Sequence, residues 1–243
     1  MKKALIIGGT KGIGRAVSLE LLEKGFHLFV VYSSDEEAVL SIKKQITSIK
    51  RDHINFIKLD FGIFDNIAIL FSNISKLLKG KKLDAIIINT GKTNRSAFEV
   101  LSLTEWQEVI NFNCTIPLFM IQKFVPLLNE NSSIIFTGSL MGIYPHSVSI
   151  PYGVSKSAVH AITRNLVKVL SPYKIRINTV VPGFVNTDWH KSKSDFVINN
   201  INKKISLHRF AETTEVAKVY SFILENEYIN GQEIVIDGSY MYE

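Results

Sequence analysis

The sequence predicts an α/β fold in which a doubly wound parallel sheet of about seven strands carries helices on both faces. Short apolar runs alternate with helical patterns along the chain, which is the order of βαβ units. A glycine-rich turn joins the first apolar run to the first helix, and polar residues or glycines recur where later strands end. Ligands bind at that edge of such sheets, so the pattern also predicts a binding site.

The composition suits one globular domain that covers residues 1–243. Hydrophobic residues make up 46% of the chain and charged residues 21%, a balance that allows a large buried core. No apolar run reaches the ~18 residues of a membrane span. One cysteine, Cys114, excludes an internal disulfide framework. We therefore expect a cytoplasmic protein without a membrane partner.

The charged and metal-ligating residue types are scattered along the chain. The net charge is +6, but the lysines form no long basic run, which indicates solvated surfaces and no nucleic-acid partner. Six histidines and one cysteine show no ligand spacing, so no metal site is expected.

Each predicted element follows the previous one without a linker or an internal repeat. The predicted strands are 3–7, 27–32, 54–59, 83–89, 133–137, 175–181 and 233–236. The predicted helices are 15–24, 36–51, 63–79, 104–128, 152–170 and 213–225. The stretch 184–209 has no period and is interpreted either as a surface insertion or as a lid over the substrate.

The turn after the first strand has the features of a phosphate-binding loop. Gly8 permits a tight turn, Gly12 lets the backbone approach a pyrophosphate, and Gly14 lets the helix pack closely on the strand. The helix N-terminus adds free N–H groups and a positive dipole end. The glycines are spaced G-x-x-x-G-x-G rather than in the commoner pattern G-x-G-x-x-G, but they can bind a phosphate in the same way.

Tyr152 and Lys156 are four residues apart in a predicted helix, so they share one face. A free phenol titrates near pH ~10, and a nearby ammonium lowers that pKa. Tyr152 is therefore a candidate general acid or base, with Lys156 tuning its pKa and Ser139 hydrogen-bonding the substrate oxygen. The pair alone also suits a surface contact on an amphipathic helix.

Further candidate binding residues follow the other predicted strands. They are Ser33 and Ser34 after the second strand, Asp60 after the third, Asn89, Thr90 and Gly91 after the fourth, Ser139 after the fifth, and Pro182 with Gly183 after the sixth. Each alone is more simply an ordinary turn or cap. Together they mark one edge of the sheet as a ligand site.

In combination these motifs resemble the short-chain dehydrogenase/reductase family over essentially the whole chain. The resembling segments are Gly8-x-x-x-Gly12-Ile13-Gly14, Asn89-Thr90-Gly91 and Pro182-Gly183-x-x-x-Thr187. Ile88 and Thr90 stand where the family usually has Asn and Ala. Ser139 with Tyr152-x-x-x-Lys156 matches the catalytic motif, and Asn113 matches the asparagine that completes the family's tetrad.

The resemblance implies a Rossmann-like fold and carbonyl reduction with a nicotinamide cofactor. In that mechanism Tyr152 protonates the developing alkoxide and Ser139 polarises the carbonyl oxygen. Lys156 holds the nicotinamide ribose, and Asn113 keeps a water in place for a proton relay. The residues implied to bind the cofactor are Gly8, Thr10, Lys11, Gly12, Ile13, Gly14, Ser33, Ser34, Asp60, Asn89, Thr90, Gly91, Tyr152, Lys156, Pro182, Gly183, Val185 and Thr187.

The segment after the second strand predicts that NADP(H) is preferred over NAD(H). Tyr32 aligns with the acidic residue that accepts ribose hydroxyls in an NAD site. Ser33 and Ser34 could donate hydrogen bonds to a 2′-phosphate, and Lys11 could add a positive charge. Asp35 weakens the prediction, because a small loop shift would bring it to the ribose.

Three further segments resemble one subgroup of the family, and they are Val31-Tyr32-Ser33-Ser34, His208-Arg209-Phe210 and Ile229-Asn230-Gly231-Gln232-Glu233. On these segments the chain most resembles 3-oxoacyl-[acyl-carrier-protein] reductases of fatty acid biosynthesis. The implied substrate is a 3-oxoacyl thioester on acyl carrier protein, and the implied assembly is a homotetramer. Arg164, Lys168 and Lys174 are expected to attract an acidic carrier beside the site. The loop lysines could equally accept a free anionic substrate; they are Lys191, Lys193, Lys203 and Lys204. Another small ketone or alcohol, such as a sugar or a steroid, and a cofactor-binding sensor without turnover remain as alternatives.

Overall fold

The computed structural model describes residues 1–145, 148–191 and 193–240. Within them seven parallel strands form one sheet in the order β3-β2-β1-β4-β5-β6-β7. The strands are Lys3–Ile7 (β1), His27–Tyr32 (β2), Ile54–Lys58 (β3), Leu83–Ile88 (β4), Leu128–Thr137 (β5), Arg176–Pro182 (β6) and Glu233–Ile236 (β7). Residue 192 of the predicted lid and residues 241–243 of the predicted domain lie outside the described residues.

Helices cover both faces of the sheet, so the predicted doubly wound architecture is confirmed. The helices are Gly12–Glu23 (α1), Glu36–Gln45 (α2), Ser48–Arg51 (α3), Asn66–Leu78 (α4), Leu103–Ile110 (α5), Ile116–Phe124 (α6), Ile150–Leu170 (α7), Asp195–Lys204 (α8) and Thr213–Glu225 (α9). One apolar core lies between the sheet and α4, α6 and α7, and a second lies between the sheet and α1, α2 and α9.

The first strand shows how the sequence supports two cores. Leu5 and Ile7 point into the core under α4, α6 and α7, whereas Ala4 and Ile6 point into the opposite core. All four side chains are fully buried. Successive strand residues face opposite sides, so a strand covered on both faces must be apolar at every position. Burying each large side chain contributes about 1.5–3 kcal/mol.

The strand order reverses between β1 and β4, and this reversal positions the functional site. From β1 the chain winds outward to β3 on one side, and from β4 it winds outward to β7 on the other. The connections leave the carboxyl ends of β1 and β4 in opposite directions, which opens a crevice there.

The predicted long helix 104–128 ends earlier, at Phe124, and is not a regular α-helix throughout. A π-helical segment, Asn111–Thr115, separates α5 from α6, and a 3₁₀ turn, Val125–Leu127, follows α6. Pro126 in that turn has no N–H to continue the helix. The chain enters β5 already at Leu128 rather than at residue 133.

Two further predicted elements differ for reasons of burial. The predicted helix 36–51 is interrupted at Ile46, which is extended (φ −86°, ψ 149°) and buried in the core with α1 and α9. The stretch 184–209, predicted to lack a period, contains α8. Ile198 and Ile201 are half-buried and Ile205, just after the helix, is buried, but most other positions of α8 are polar, so its apolar period spans only about two turns.

Candidate active site

A cavity of about 510 Å³ opens at the carboxyl edge of the sheet. It runs from the glycine turn after β1 to the first turns of α7, so it connects a phosphate-binding turn with Tyr152. The predicted residues that line it are Gly8, Lys11, Gly12, Ile13, Asn89, Gly91, Ser139, Tyr152, Lys156, Pro182, Gly183, Val185 and Thr187. Tertiary structure thus brings distant segments of the chain together.

Tyr152 and Lys156 lie one turn apart on α7, and both face the cavity. The buried Lys156 ammonium lies 5.7 Å from the centre of the Tyr152 ring. Its Nζ donates a hydrogen bond to the backbone oxygen of Thr137 at 2.7 Å, at the end of β5. Burial lowers the pKa of Lys156 to about 8, with a smaller opposing effect of Cys114. The sheet edge therefore holds the ammonium in place.

Ser139 follows β5, and its hydroxyl is hydrogen-bonded to the Tyr152 phenol. The Ser139 Oγ also accepts a hydrogen bond from the Met141 backbone N–H at 3.1 Å, at the start of a 3₁₀ turn, Leu140–Gly142. The two hydroxyls face the same part of the cavity. A carbonyl oxygen placed there could accept hydrogen bonds from both.

The pKa of Tyr152 differs from the sequence-based expectation. Burial raises this pKa above the usual phenol value, and the hydrogen bond from Ser139 opposes the rise. The expectation that Lys156 lowers the pKa is not met in the structure, because desolvation of the phenolate is the larger effect. A protonated phenol is the form that donates a proton, so the direction suits a general acid.

Asn113 lies in the π-helical segment between α5 and α6 and is buried outside the cavity lining. Its Oδ1 accepts from the Lys92 backbone N–H at 2.8 Å. Its Nδ2 donates to the Lys92 backbone oxygen at 2.9 Å and to Ser155 Oγ at 2.8 Å. The side chain thus ties the loop after β4 to α7. Its role in a proton relay stays a prediction.

The glycine turn forms a cradle that side chains would fill. Gly8 and Gly12 have φ values of +77° and +48°, a region that favours glycine. A methyl group on Gly14 would collide with the Gly8 carbonyl oxygen, so glycine alone lets α1 start this close to β1. No side chain caps the N-terminus of α1, which leaves its N–H groups available to phosphates. Near this cradle, Thr90 Oγ1 is buried without a partner among the described residues. The turn therefore fits a dinucleotide.

The segment after β2 lies beyond the cavity lining. Ser33 and Ser34 are exposed there. Tyr32, at the position of the expected acid, donates a hydrogen bond to Glu36 Oε2 at 2.8 Å. Lys11 forms an ion pair with Asp35, and its ammonium holds the pKa of that carboxyl below its usual range. Lys11, which was expected to bind a 2′-phosphate, therefore contacts Asp35, which could bind the ribose hydroxyls instead.

Seven of the predicted site residues do not line the cavity. They are Thr10, Gly14, Ser33, Ser34, Asp60, Thr90 and Asn113. Asp60 Oδ1 accepts from the Gly62 N–H at 2.8 Å, so this carboxylate shapes the turn after β3. The predicted roles of these residues stay predictions.

The basic residues expected beside the site lie elsewhere. Since α7 starts at the cavity and runs back along the sheet, Lys168 is about 24 Å along the helix axis from Tyr152. Lys174 precedes β6 and pairs with Glu130 at 2.8 Å, at the opposite sheet edge. Arg164, also on α7, pairs with Glu233 and does not line the cavity. The expectation that these three residues flank the cavity mouth is wrong, because α7 runs away from the cavity.

Some residues that line the cavity are not among those predicted from the sequence. Thr137 accepts the Lys156 ammonium through its backbone oxygen, and its Oγ1 donates to Asn89 Oδ1 at 3.1 Å. Arg95 and His190 also line the cavity. Only Thr137 had a signal in the sequence, because it ends a predicted strand two residues before Ser139.

The part of the cavity near Tyr152 combines aromatic and positively charged groups. The ring of Trp189 packs 5.9 Å from that of Tyr152. Burial, together with the charges of Lys193 and Arg95, lowers the pKa of His190 to about 4. Its Nδ1 is buried without a partner in the part of the chain that the structure describes. A polar substrate group would find an unused hydrogen-bonding atom there.

Other features do not extend the site. Cys114 is buried and forms no disulfide, and its thiol donates a hydrogen bond to the Ser155 backbone oxygen at 3.2 Å. Burial raises its thiol pKa to about 11, which disfavours a nucleophilic thiolate. In the described ranges, no group of three or more His, Cys, Asp or Glu side chains is placed to hold a metal ion. No helix among those residues is long and apolar enough to cross a membrane.

Comparisons with known proteins agree with the fold described above. A family model described as short chain dehydrogenase matches residues 2–197. Over 240 residues the chain is 31% identical to 3-oxoacyl-[acyl-carrier-protein] reductase of Homo sapiens, covering 98% of this chain and 97% of that protein. It is 26% identical over 243 residues to an uncharacterized oxidoreductase, YmfI, of Bacillus subtilis, with 98% of each covered. The solved structure of BdcA in complex with NADPH has a TM-score of 0.86 at 22% identity, covering 98% of this chain and 93% of that one.

Proposed function

The chain belongs to the short-chain dehydrogenase/reductase family and is therefore an oxidoreductase, and from this premise we propose that it reduces a carbonyl group with NADPH. The observation that carries the proposal is the meeting of Ser139, Tyr152 and Lys156 in one cavity with the glycine turn after β1. Enzymes of this family use a nicotinamide cofactor. The cradle at Gly8 and Gly12 fits its phosphates.

The residues at the catalytic end have separate tasks in the proposed reaction. When bound, the nicotinamide supplies a hydride to the carbonyl carbon. Tyr152 donates its phenol proton to the carbonyl oxygen, and Ser139 donates a hydrogen bond to the same oxygen. Lys156 supplies a positive charge beside the phenolate that this leaves. Asn113 keeps the loop after β4 joined to α7 and supports the proton relay from solvent.

A preference for NADPH is supported by Lys11, which lines the cavity at the cradle. Tyr32 replaces the acid that would accept ribose hydroxyls, and the exposed Ser33 and Ser34 are available to a 2′-phosphate. Asp35 partly neutralises Lys11 through their ion pair. The comparison of kcat/KM for the two nicotinamides tests this preference directly.

A 3-oxoacyl thioester on acyl carrier protein is the substrate that we propose first. The human relative supports it, and the apolar side chains of Leu140, Met141 and Trp189 line the cavity. The cavity mouth is positively charged through Arg95 and Lys193, which would attract an acidic carrier. Phe184 and Trp189 belong to the segment 184–209, and we propose that this segment closes over the acyl chain.

Acetoacetyl groups on carrier protein and on a short thioester mimic test this substrate across a salt series. The carrier-bound substrate should be reduced faster at low salt, and the advantage should shrink as salt screens the charges. Arg95→Gln and Lys193→Gln should remove the advantage. Lys174→Gln, at the opposite sheet edge, is the matched control. Reduction of neither thioester, with turnover of a sugar or cyclic ketone, would contradict the proposal.

A small anionic ketone is the second candidate substrate. Arg95 and Lys193 form no ion pair among the described residues, and the neutral His190 beside them has an unused buried nitrogen. A carboxylate or phosphate could satisfy these groups. Faster reduction of a 2- or 3-oxo acid than of its methyl ester would favour this candidate over the carrier-bound thioester.

We also propose that the chain works as a homotetramer. A groove of about 890 Å³ lies between α6 and α7, and the exposed side chains of Phe119, Val169 and Tyr173 line it. Such an apolar groove suits a second copy of the same face. Light scattering should report a tetramer for the native chain and a smaller species for Val169→Asp. We place the protein in the cytoplasm, as one domain, 1–243.

A further inference from the structure

We propose that His160, oriented by Glu233, is a positioning residue that holds Ser139 in its reactive geometry. The inference rests on the proposed carbonyl reduction. His160 lies on α7 one turn beyond Lys156 and two turns beyond Tyr152, so the three side chains share a helix face. Neither His160 nor Glu233 lines the cavity. Their effect on the reaction would therefore pass through Ser139.

The imidazole of His160 packs against the loop that contains Ser139, on the side of the loop that faces α7. The ring is buried, and its Nε2 accepts a hydrogen bond from the Ser139 backbone N–H at 3.4 Å. A methyl group on Gly138 would overlap Nε2, and one on Gly142 would lie 3.0 Å from Cε1. The ring therefore fills the space between α7 and both ends of this loop, Gly138–Gly142. The loop has no room to move closer to α7.

Glu233 determines which ring nitrogen carries the hydrogen. Its Oε2 lies 3.2 Å from His160 Nδ1, and its Oε1 is paired with Arg164, one turn further along α7. An ionised carboxylate only accepts hydrogen bonds, so Nδ1 carries the hydrogen. Burial, and then the charges of Lys156 and Arg164, lowers the pKa of His160 to about 4, so the ring is neutral at pH 7. Nε2 is left as an acceptor for Ser139.

This arrangement holds Ser139 at two points. His160 holds its backbone N–H, while its Oγ accepts from Met141 and bonds to Tyr152. Loss of the Nε2 acceptor would free the backbone and let the hydroxyl drift from the carbonyl oxygen. A shift of about 1 Å in a reacting group can cost about 100-fold in rate. The effect should appear in kcat rather than in cofactor binding.

Three variants separate positioning from simple packing. His160→Leu fills similar space without an acceptor, and we expect kcat to fall about ten- to hundredfold with KM and the cofactor Kd nearly unchanged. His160→Gln restores a carbonyl acceptor and should recover most of the lost rate. Thr163→Val is the matched control on α7. It removes a buried hydroxyl that is bonded to Thr179 Oγ1 at 2.6 Å, so it should cost stability without lowering kcat.

Nuclear magnetic resonance supplies a readout that does not need turnover. The ¹⁵N spectrum should show His160 as the Nδ1–H tautomer at pH 7. Amide hydrogen exchange at Ser139 should quicken in His160→Leu and stay slow in His160→Gln and Thr163→Val. The Nε2–H tautomer, or a His160→Leu variant with unchanged kcat and unchanged Ser139 exchange, would overturn the proposal. If the native chain reduces no carbonyl, the proposed function fails, and the tautomer and exchange data still decide the contact.

Discussion

The two ends of the cavity are built in different ways. At the catalytic end, Lys156 is buried and bonded to the backbone of β5, and Tyr152 is bonded to Ser139. At the other end, where we propose that the cofactor is selected, the Lys11–Asp35 ion pair has side chains 59% and 28% exposed. Buried polar contacts hold their geometry in a low dielectric, whereas solvent screens an exposed ion pair and leaves it only weakly stabilising. In the proposed reaction the catalytic side chains are therefore preorganised, whereas the Lys11–Asp35 pair is free to rearrange.

The largest expected effect comes from a substitution at the catalytic end, where the side chains are buried. Tyr152→Phe keeps the ring and removes the proton donor, so kcat should fall by about 10³-fold or more while NADPH binding, measured by fluorescence titration, persists. Tyr220→Phe is the matched control. It removes another buried phenol, bonded to Thr137 Oγ1 at 2.6 Å outside the cavity, and should keep most of the activity. Near-normal turnover in Tyr152→Phe would contradict the mechanism.

The pH dependence of stability tests whether burying the Lys156 ammonium lowers the free energy of unfolding. Its folded-state pKa of about 8 lies below the ~10.4 of an unfolded lysine. Between these values the unfolded chain keeps a proton that the folded chain has released, so stability should rise with pH. In cofactor-free protein, the free energy of unfolding of wild type should therefore gain on that of Lys156→Met from about pH 8 to 10.4. A difference that is flat across this range would show that the ammonium is not desolvated.

The end with the Lys11–Asp35 pair should respond more weakly. Lys11→Gln removes the charge offered to a 2′-phosphate, so kcat/KM for NADPH should fall about tenfold while that for NADH changes little. Lys24→Gln is the matched control, since Lys24 follows α1 at its far end. Equal losses with both nicotinamides would mean that Lys11 supports the turn rather than the phosphate.

The smallest effect is expected from the partner of Lys11. Asp35→Asn frees the ammonium and removes a negative charge, so NADPH affinity should rise about two- to threefold at low salt. The gain should vanish at high salt, because exposed charges are screened. If NADH use collapses instead, Asp35 faces the ribose and the proposed NADPH preference is wrong.

The sequence determined the elements whose patterns are local. Buried parallel strands read as apolar runs, and six of the seven predicted strands are close to the observed bounds, with β5 beginning earlier. Tyr152 and Lys156 share a face because helical geometry alone sets an i, i+4 pair. The glycine turn was readable because backbone sterics at φ > 0 restrict the residue type. α8 was not predicted, because its apolar period spans only about two turns and most of its other residues are polar.

Tertiary structure alone decided which side chains meet. The Lys156–Thr137 bond, the Glu233–His160 contact and the Lys11–Asp35 pair join elements that become neighbours only through the strand order and the helix packing. Lys168 and Lys174 lie far from the cavity, because α7 begins at the carboxyl edge of the sheet and runs toward the opposite edge. Tertiary packing also raised the pKa of Tyr152, since desolvation depends on everything packed around the phenol. Residue spacing specifies local geometry, and the environment of a charge exists only once the chain has folded.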